Sequence, residues 1–446
     1  MLYVSKSRRT GIINVMTKPT FIEALRYWLK LGFISFGGPT GQIAMMHKDL
    51  VEKKKWIPED HFLQALNFCM LLPGPEAQQL AIYIGWLLHG TRGGIVAGVL
   101  FVLPSVFILW GLSWLYVSMG DVAAVDAFFY GLKPAVAAIV AEAVIRIGKR
   151  ALRNEVFITL AALSFIGIYF LHIPFPAIIL AAGCIGYAGS IYAPARFTVT
   201  TDNKYIDPSE YVIADSRAAE ASTAGWRHSL KVIAICLPLW FLPIILLGFL
   251  RGWNDIFIDI GLLFSKAAMV TFGGAYAVLA YIDQQAVMQY GWIRPEQMID
   301  GLGLAETTPG PLIMVTQFVG YLAAFYNAKG LQPAVAGAIG GLLTTWVTFT
   351  PCFMWIFVGA PYIEKVRRNV RLGAALSAIT AAVVGVVLNL SVFFAYHVLM
   401  PAGKGFDWYA LVAALIAFVG MIYFKRGMVP VIIGSALAGF LWKTVV

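Results

Sequence analysis

The sequence predicts an all-α polytopic membrane protein built from two inverted-topology repeats, each opening with broken or re-entrant helices. Three observations predict it: an apolar composition, an internal repeat with one extra apolar segment between its copies, and Gly/Pro interruptions at matching places in both copies. Of 446 residues, 60% are hydrophobic and 13% charged, with a mean hydropathy of +0.77. Soluble domains carry roughly 45–50% apolar and about 25% charged residues, so a soluble globular fold is excluded. The 30 Phe, 13 Trp and 19 Tyr exclude disorder.

Apolar stretches fall at 21–45, 62–89, 93–118, 122–147, 156–172 and 174–193 in the first half, then at 230–250. The second half continues with 257–283, 298–326, 331–358, 371–398, 406–424 and 428–446. A span needs about 20 apolar residues, and most of these stretches qualify. The one extended polar stretch, 194–229, reads as a cytoplasmic linker. The N-terminal residues lack the long apolar core and small-residue cleavage site of a signal peptide and read as a cytoplasmic tail.

A single offset carries Phe36-Gly37-Gly38 onto Phe272-Gly273-Gly274, Trp56 onto Trp292, and Pro73-Gly74-Pro75 onto Pro309-Gly310-Pro311. The same offset carries Glu23 onto Asp259 and Lys30 onto Lys266. Five landmarks at one offset mark a duplication. The chain therefore divides into a repeat at 1–193, the linker at 194–229, a connecting transmembrane helix at 230–250 and a second repeat at 251–446. One extra crossing between two even-numbered halves inverts the second, an arrangement of secondary transporters.

The net charge of +10 reads as the Lys/Arg excess of cytoplasmic loops, not as a nucleic-acid surface. Clusters at Lys6/Arg8/Arg9, Lys53-Lys54-Lys55, Arg146/Lys149/Arg150/Arg153 and Lys365/Arg367/Arg368/Arg371 fall on one side if the first two elements of each half are re-entrant. If those elements cross fully, the bias is weaker. Both arrangements put the N-terminus in the cytoplasm and the C-terminus outside. The four Cys and six His show no metal-ligand or disulfide spacing, so no metal and no cofactor is expected.

The interruptions carry the chemistry. Element one reads LKLGFISFGGPTGQIAMM and element two FCMLLPGPEAQQLAIYIGW, and the second half repeats them as MVTFGGAYAVLAYI and AETTPGPLIMVTQFVGY. Pro inside a helix costs about 3 kcal/mol and Gly about 1, so these runs end one helix, while Pro at a first position starts another. Irregular backbone at membrane depth is tolerated only inside protein or beside a watery cavity. Restarting helices offer unpaired N–H groups and the positive dipole end, a ready anion site that Gly lets a ligand approach. The candidate substrate-binding residues are therefore Gly37, Gly38, Pro39, Pro73, Gly74, Pro75, Gly273, Gly274, Pro309, Gly310 and Pro311. The bland alternative is that the small residues only permit kinks or close helix packing.

Glu23, Arg26, Tyr27 and Lys30 are spaced as one helical stripe, and Asp259 with Lys266 repeats its acid-plus-lysine part. Lys30 and Lys266, six residues before each Phe-Gly-Gly, are expected at the cavity entrances, although snorkelling to the interface would also explain them. Glu76, Glu306, Glu23 and Asp259 are candidates for a coupling proton, with helix capping or packing explaining Glu76 and Glu306 almost as well. Glu142 and Arg146 read as a structural pair.

At these residues the chain resembles the chromate ion transporter family in its long, duplicated form. FGGPTGQIAMMHKD and LLPGPEAQQLAIYIGW carry the resemblance, with weaker second copies FGGAYAV and TTPGPLIMVTQFVGY. The resemblance implies export of chromate across the bacterial plasma membrane, driven by the membrane potential or a proton gradient and giving chromate resistance. Sulfate is the close oxyanion analogue, protons the coupling ion in question and lipids the surroundings, with a homodimer left open. The second half departs by reading Ala275-Tyr276-Ala277 where the first has Pro39-Thr40-Gly41, so the site is only pseudo-symmetric.

Composition and interruptions alone reach a secondary transporter of a small anion and stop there. Alternatives are uptake or exchange of sulfate or another oxyanion, and a passive anion channel. A membrane enzyme acting on lipid phosphates would use the loop carrying His47, Asp49, Glu59, Asp60 and His61, which the adjoining lysines make a solvated charged loop instead. No GxxxxGK[ST] loop supports a pump.

Overall fold

The computed structural model describes residues 19–36, 38–120, 122–197, 226–362, 369–401, 403 and 405–445. Gly37, most of the linker, and the basic clusters at Lys6/Arg8/Arg9 and Lys365/Arg367/Arg368 lie outside the described residues. Among the described residues all regular structure is helical. Among the described residues seven helices are long and apolar enough to cross a bilayer, and the protein is a multi-pass membrane protein.

The first stretch is two helices, α1 (Phe21–Ile34) and α2 (Gly38–His47), the latter running into a π-helical turn at Lys48–Lys53. Thr20 caps α1 by accepting from the Glu23 amide. The second stretch is α3 (Glu59–Cys69) and the opening arm of α4 (Glu76–Met119). The chain turns inside α4 at His89 and Gly90, the latter with φ 65°. Its two arms then fold against each other, so that a Cβ on Gly85 would lie 2.5 Å from the Gly93 carbonyl oxygen. Then follow α5 (Ala123–Ala151), α6 (Glu155–Tyr169), α7 (Phe175–Tyr192) and a single turn at Pro194–Phe197. The linking helix is α8 (Trp226–Arg251), which starts inside the stretch read as linker.

The second half repeats this order. α9 (Ile256–Val270), α10 (Ala275–Ile282) with a π-helical turn at Asp283–Gln289, and α11 (Pro295–Thr307) match α1, α2 and α3. A 3₁₀ turn at Leu312–Met314 leads into α12 (Val315–Tyr326), matching the first arm of α4. α13 (Pro333–Gly359), α14 (Val370–Leu399), α15 (Trp408–Ile422) and α16 (Met428–Val445) match the second arm of α4, α5, α6 and α7. At 15 residues each, α6 and α15 are about 22 Å long at 1.5 Å per residue, shorter than the stretches read from sequence.

The ends of the α1/α2 and α11/α12 pairs meet, and in each half the end of the second pair closes on the start of the first. Lys54, after α2, lies 3.8 Å from Glu23 at the start of α1, and the Tyr27 and Trp56 rings are 5.4 Å apart. At the far end of the second pair, the His89 ring meets the Pro19 carbonyl at 2.9 Å. In the second half Gln297, in the first turn of α11, donates to the Tyr326 hydroxyl at the end of α12 at 2.9 Å. Arg251 donates to the Lys329 carbonyl. The second arm of α4 orders the two bases. It leaves the first at His89, and at its other end Tyr116 donates to Asp300 of α11 at 2.9 Å. Those residues are about 40 Å apart along the arm at 1.5 Å per residue.

Candidate anion site at the helix breaks

The breaks meet across the halves. The Gly74 amide donates to the Thr271 carbonyl at 2.9 Å, and the Gly310 amide donates to the Ser35 carbonyl at 2.9 Å. The two bonds occupy equivalent positions in the repeat, so each Pro-Gly-Pro break closes onto the Phe-Gly-Gly break of the other half. The hydroxyls of Ser35 and Thr271 each turn back to the carbonyl four residues earlier, on Leu31 and Ala267. This leaves their own carbonyls to the partner half. Gln42, fully buried in α2, ties one junction further by donating to the Gly310 carbonyl at 2.6 Å and the Ser35 carbonyl at 3.2 Å. Gln79 donates to the Pro73 carbonyl at 2.8 Å.

Gly74 and Gly310 have φ of 126° and 104°, open to glycine and strained for any other residue. They also lack room. A Cβ on Gly74 would lie 2.7 Å from Gln79 Nε2 and 3.0 Å from Cys352 Sγ; one on Gly310 would lie 2.6 Å from the Ser105 Cβ. Ser105 follows Pro104 in α4, and Cys352 follows Pro351 in α13, so this packing is reciprocal too. By contrast, a Cβ on Gly38 or Gly274 would meet nothing within 4 Å. These two glycines stand at the N-termini of α2 and α10, beside Pro39 and Ala275. The junctions are thus packed at Pro73-Gly74-Pro75 and Pro309-Gly310-Pro311 and open at the Gly38 and Gly274 ends.

Around the second-half break lies a polar group without counterpart in the first. Tyr276 of α10 donates to Glu306 of α11 at 2.5 Å, and Glu306 is 2% exposed. The other Glu306 oxygen has no hydrogen-bond partner among the described residues. On α5, Arg146 Nε donates to both Glu142 oxygens at 3.1 and 3.2 Å, while its Nη2 is buried and unpartnered among those residues. The repeat puts Thr40 and Met70 where Tyr276 and Glu306 stand. Glu76 sits in the first turn of α4, beside the buried Cys69.

The remaining sequence-derived candidates lie elsewhere. Lys30, Lys266 and Asp259 are exposed, and neither lysine lines either of the two cavities described below. Glu23 is exposed and pairs with Lys54 at the hairpin base. Of the proposed stripe, only Tyr27 turns inward, 7% exposed against Trp28 and Trp56. Sequence reasoning missed Ser35, Gln42, Ser105, Thr271, Tyr276 and Cys352. A signal for two of them existed, since Ser35 and Thr271 are small hydroxyl residues directly before each Phe-Gly-Gly.

Two cavities of comparable size, ≈ 630 and ≈ 620 Å³, open at opposite ends of α5 and α14. The first lies between α3, the C-terminal end of α5 and the start of α14, with Met70 and Leu71 just before the first Pro-Gly-Pro break. The second lies between α11, the start of α5 and the end of α14. Among the described residues no cluster of His, Cys, Asp and Glu is arranged to hold a metal.

The sequence profile of a family described as "Chromate transporter" matches residues 22–187 and 258–440. A chromate transport protein of Cupriavidus metallidurans is 28% identical over 434 residues, covering 96% of each chain. One of Pseudomonas aeruginosa is 30% identical over 423 residues, covering 93% of this chain and 90% of its own. An uncharacterized transporter of Methanocaldococcus jannaschii is 26% identical over 444 residues, 98% of each chain. No solved structure matches.

Proposed function

The chain belongs to the chromate transporter family, and we propose that it exports chromate from the cytoplasm across the bacterial plasma membrane and so confers chromate resistance. It is a membrane transporter, not an enzyme. The observation that carries the anion reading is the pair of helix N-termini at Gly38 and Gly274, open to a ligand while the adjoining Pro-Gly-Pro breaks are packed. Backbone N–H groups and the dipole end at such a terminus favour an anion. The relatives named chromate transport proteins narrow the anion to chromate.

The hairpins support re-entrance, because the ends of α1/α2 and of α11/α12 lie together and each half's second pair ends beside the start of its first. Their bases at opposite ends of the second α4 arm support inversion of the second repeat. The Lys53-Lys54-Lys55 run supports a cytoplasmic first base, with the N-terminus inside and the C-terminus outside. The element order supports domains at 1–193 and 251–446, joined by the linker and the 230–250 helix. Export suits a dianion. Each charge crossing 100 mV is worth about 2.3 kcal/mol, so chromate leaving a negative interior gains about 4.6 kcal/mol without a second ion. A proton on Glu306 is the alternative coupling.

Chromate accumulation in cells expressing the protein tests this reading. Accumulation should fall below that of control cells, and an uncoupler should abolish the difference. Equal accumulation overturns export, while faster entry favours oxyanion uptake or exchange.

A further inference from the structure

We propose that the cavity between α3, α5 and α14 is a collecting site for a tetrahedral dianion, held by Lys149, Arg150 and Arg153, and that its counterpart at the other end of α5 and α14 is the release site. The proposal rests on the transport reading above and deepens it by assigning the two mouths of the path.

The repeat makes the two cavities comparable position by position. Gln64 of α3 stands where Asp300 of α11 stands in the other, and with the start of α14 at Val370 laid on the start of α5 at Ala123, Gly373, Ser377 and Thr380 stand where Asp126, Tyr130 and Lys133 stand. Arg150 corresponds to His397, and Arg153 to Met400. Duplication supplied two similar chambers; substitution gave them different charge.

The first chamber is cationic. Among the described residues its wall holds Lys149, Arg150 and Arg153 and no carboxylate. Gln64, Ser377 and Thr380 add neutral hydrogen-bonding groups opposite them. Arg146, Lys149 and Arg150 follow an i, i+3, i+4 spacing near the end of α5 and so share a face, and Arg153 follows just beyond the helix end. Arg146 continues the row about 6 Å inward from Arg150 at 1.5 Å per residue, and its Nη2 is buried without a partner among the described residues. The row leads toward Met70 and Leu71, at the brink of the Pro73-Gly74-Pro75 break.

The second chamber is ion-paired. Its cations Lys133, Arg294 and Lys443 face Asp126, Glu296, Asp300 and Asp407. Lys133 lies 3.6 Å from Asp300, Lys443 pairs with Asp126, and Tyr130 donates to Asp407 at 2.9 Å. A dianion there meets Lys133 and Lys443 already paired and a carboxylate excess. A cleft lined by one sign of charge concentrates the opposite ion, so the first mouth gathers the dianion and the second lets it go.

The test is anion binding to the purified full-length protein at low and high salt, with sulfate and chromate as probes. Gly373→Asp copies Asp126 into the first chamber. It meets no steric obstacle, since a Cβ on Gly373 has nothing within 4 Å, and it leaves every basic residue in place. The site predicts at least a tenfold rise in apparent Kd for both anions at low salt. Salt should shrink that difference, because screening acts on exposed charges. The triple variant Lys149→Gln/Arg150→Gln/Arg153→Gln should do the same, and Arg150→Lys/Arg153→Lys should restore affinity. Unchanged affinity in Gly373→Asp and in the triple variant overturns the collecting site while leaving chromate transport standing. Wild-type binding of sulfate but not chromate, lost in Gly373→Asp, upholds the site and overturns the chromate reading instead.

Discussion

The amide of Gly74 donates to the carbonyl of Thr271 at 2.9 Å, and the repeat reproduces that bond between Gly310 and Ser35. A buried backbone group without a partner costs about as much as a lost hydrogen bond. Each half therefore leaves at its breaks groups that the other half satisfies. The breaks are the seam of the molecule as well as its opening.

Gly310→Ala should destabilise the protein by roughly 1–3 kcal/mol, since it forces a left-handed residue and drives a methyl into Ser105. Adding Ser105→Gly should recover the steric part only, so the double variant should melt between the single variant and wild type. Thermal unfolding in detergent measures this. A double variant no more stable than Gly310→Ala removes Ser105 from the account.

Gln42→Ala should lower stability by roughly 1–3 kcal/mol, because it strips a donor from two carbonyls at one junction. Gln42→Glu should be no better, since a carboxylate offers those carbonyls no N–H. The repeat places Val278 at the equivalent position, so the other junction has no such tie. Val278→Ala is therefore expected to cost less than Gln42→Ala in the same melting assay.

The hairpin bases predict opposite accessibility. A cysteine at Lys54 should resist an impermeant thiol reagent in intact cells and react in inside-out vesicles, whereas one at Lys329 should react from outside. Labelling of both from the same side would refute the inversion.

The repeat and its breaks were legible in the sequence because both rest on residues with one physical meaning. Pro73-Gly74-Pro75 cannot continue a helix, and a single offset carries it onto Pro309-Gly310-Pro311. What the breaks touch was not legible. Gly74 reads as room for a ligand, yet the space beside it is filled by Gln79 and Cys352, the latter far along the chain in α13. A shared offset likewise pairs Lys30 with Lys266 but does not say which way a helix face turns, and both are exposed. The cationic chamber was half visible, as Lys149, Arg150 and Arg153 read as a topology signal. Only the placing of α3 and α14 around the end of α5 makes it a chamber.

The bond from Tyr276 to Glu306 separates the two drives proposed for export. If the membrane potential alone moves the dianion, a neutral side chain at 306 is tolerated. If a proton must move as well, its carrier has to be a titratable group within the protein, and Glu306 is buried beside the second-half break with one oxygen unpartnered. Glu306→Gln is close to isosteric and still accepts from Tyr276, so packing is kept while the proton site is lost. In proteoliposomes loaded with chromate, efflux driven by a valinomycin-set potential should persist in Glu306→Gln, with a rate within about threefold of wild type, roughly 0.6 kcal/mol in the barrier. Efflux driven by a pH gradient at zero potential should be present in wild type and absent in Glu306→Gln if the proton is coupled there. Tyr276→Phe removes the bond and keeps the carboxyl, so it should change the rate of proton-driven efflux without abolishing it. Equal pH-driven efflux in wild type and Glu306→Gln would exclude Glu306 as the carrier, and its absence from both would leave the potential acting on the dianion as the drive.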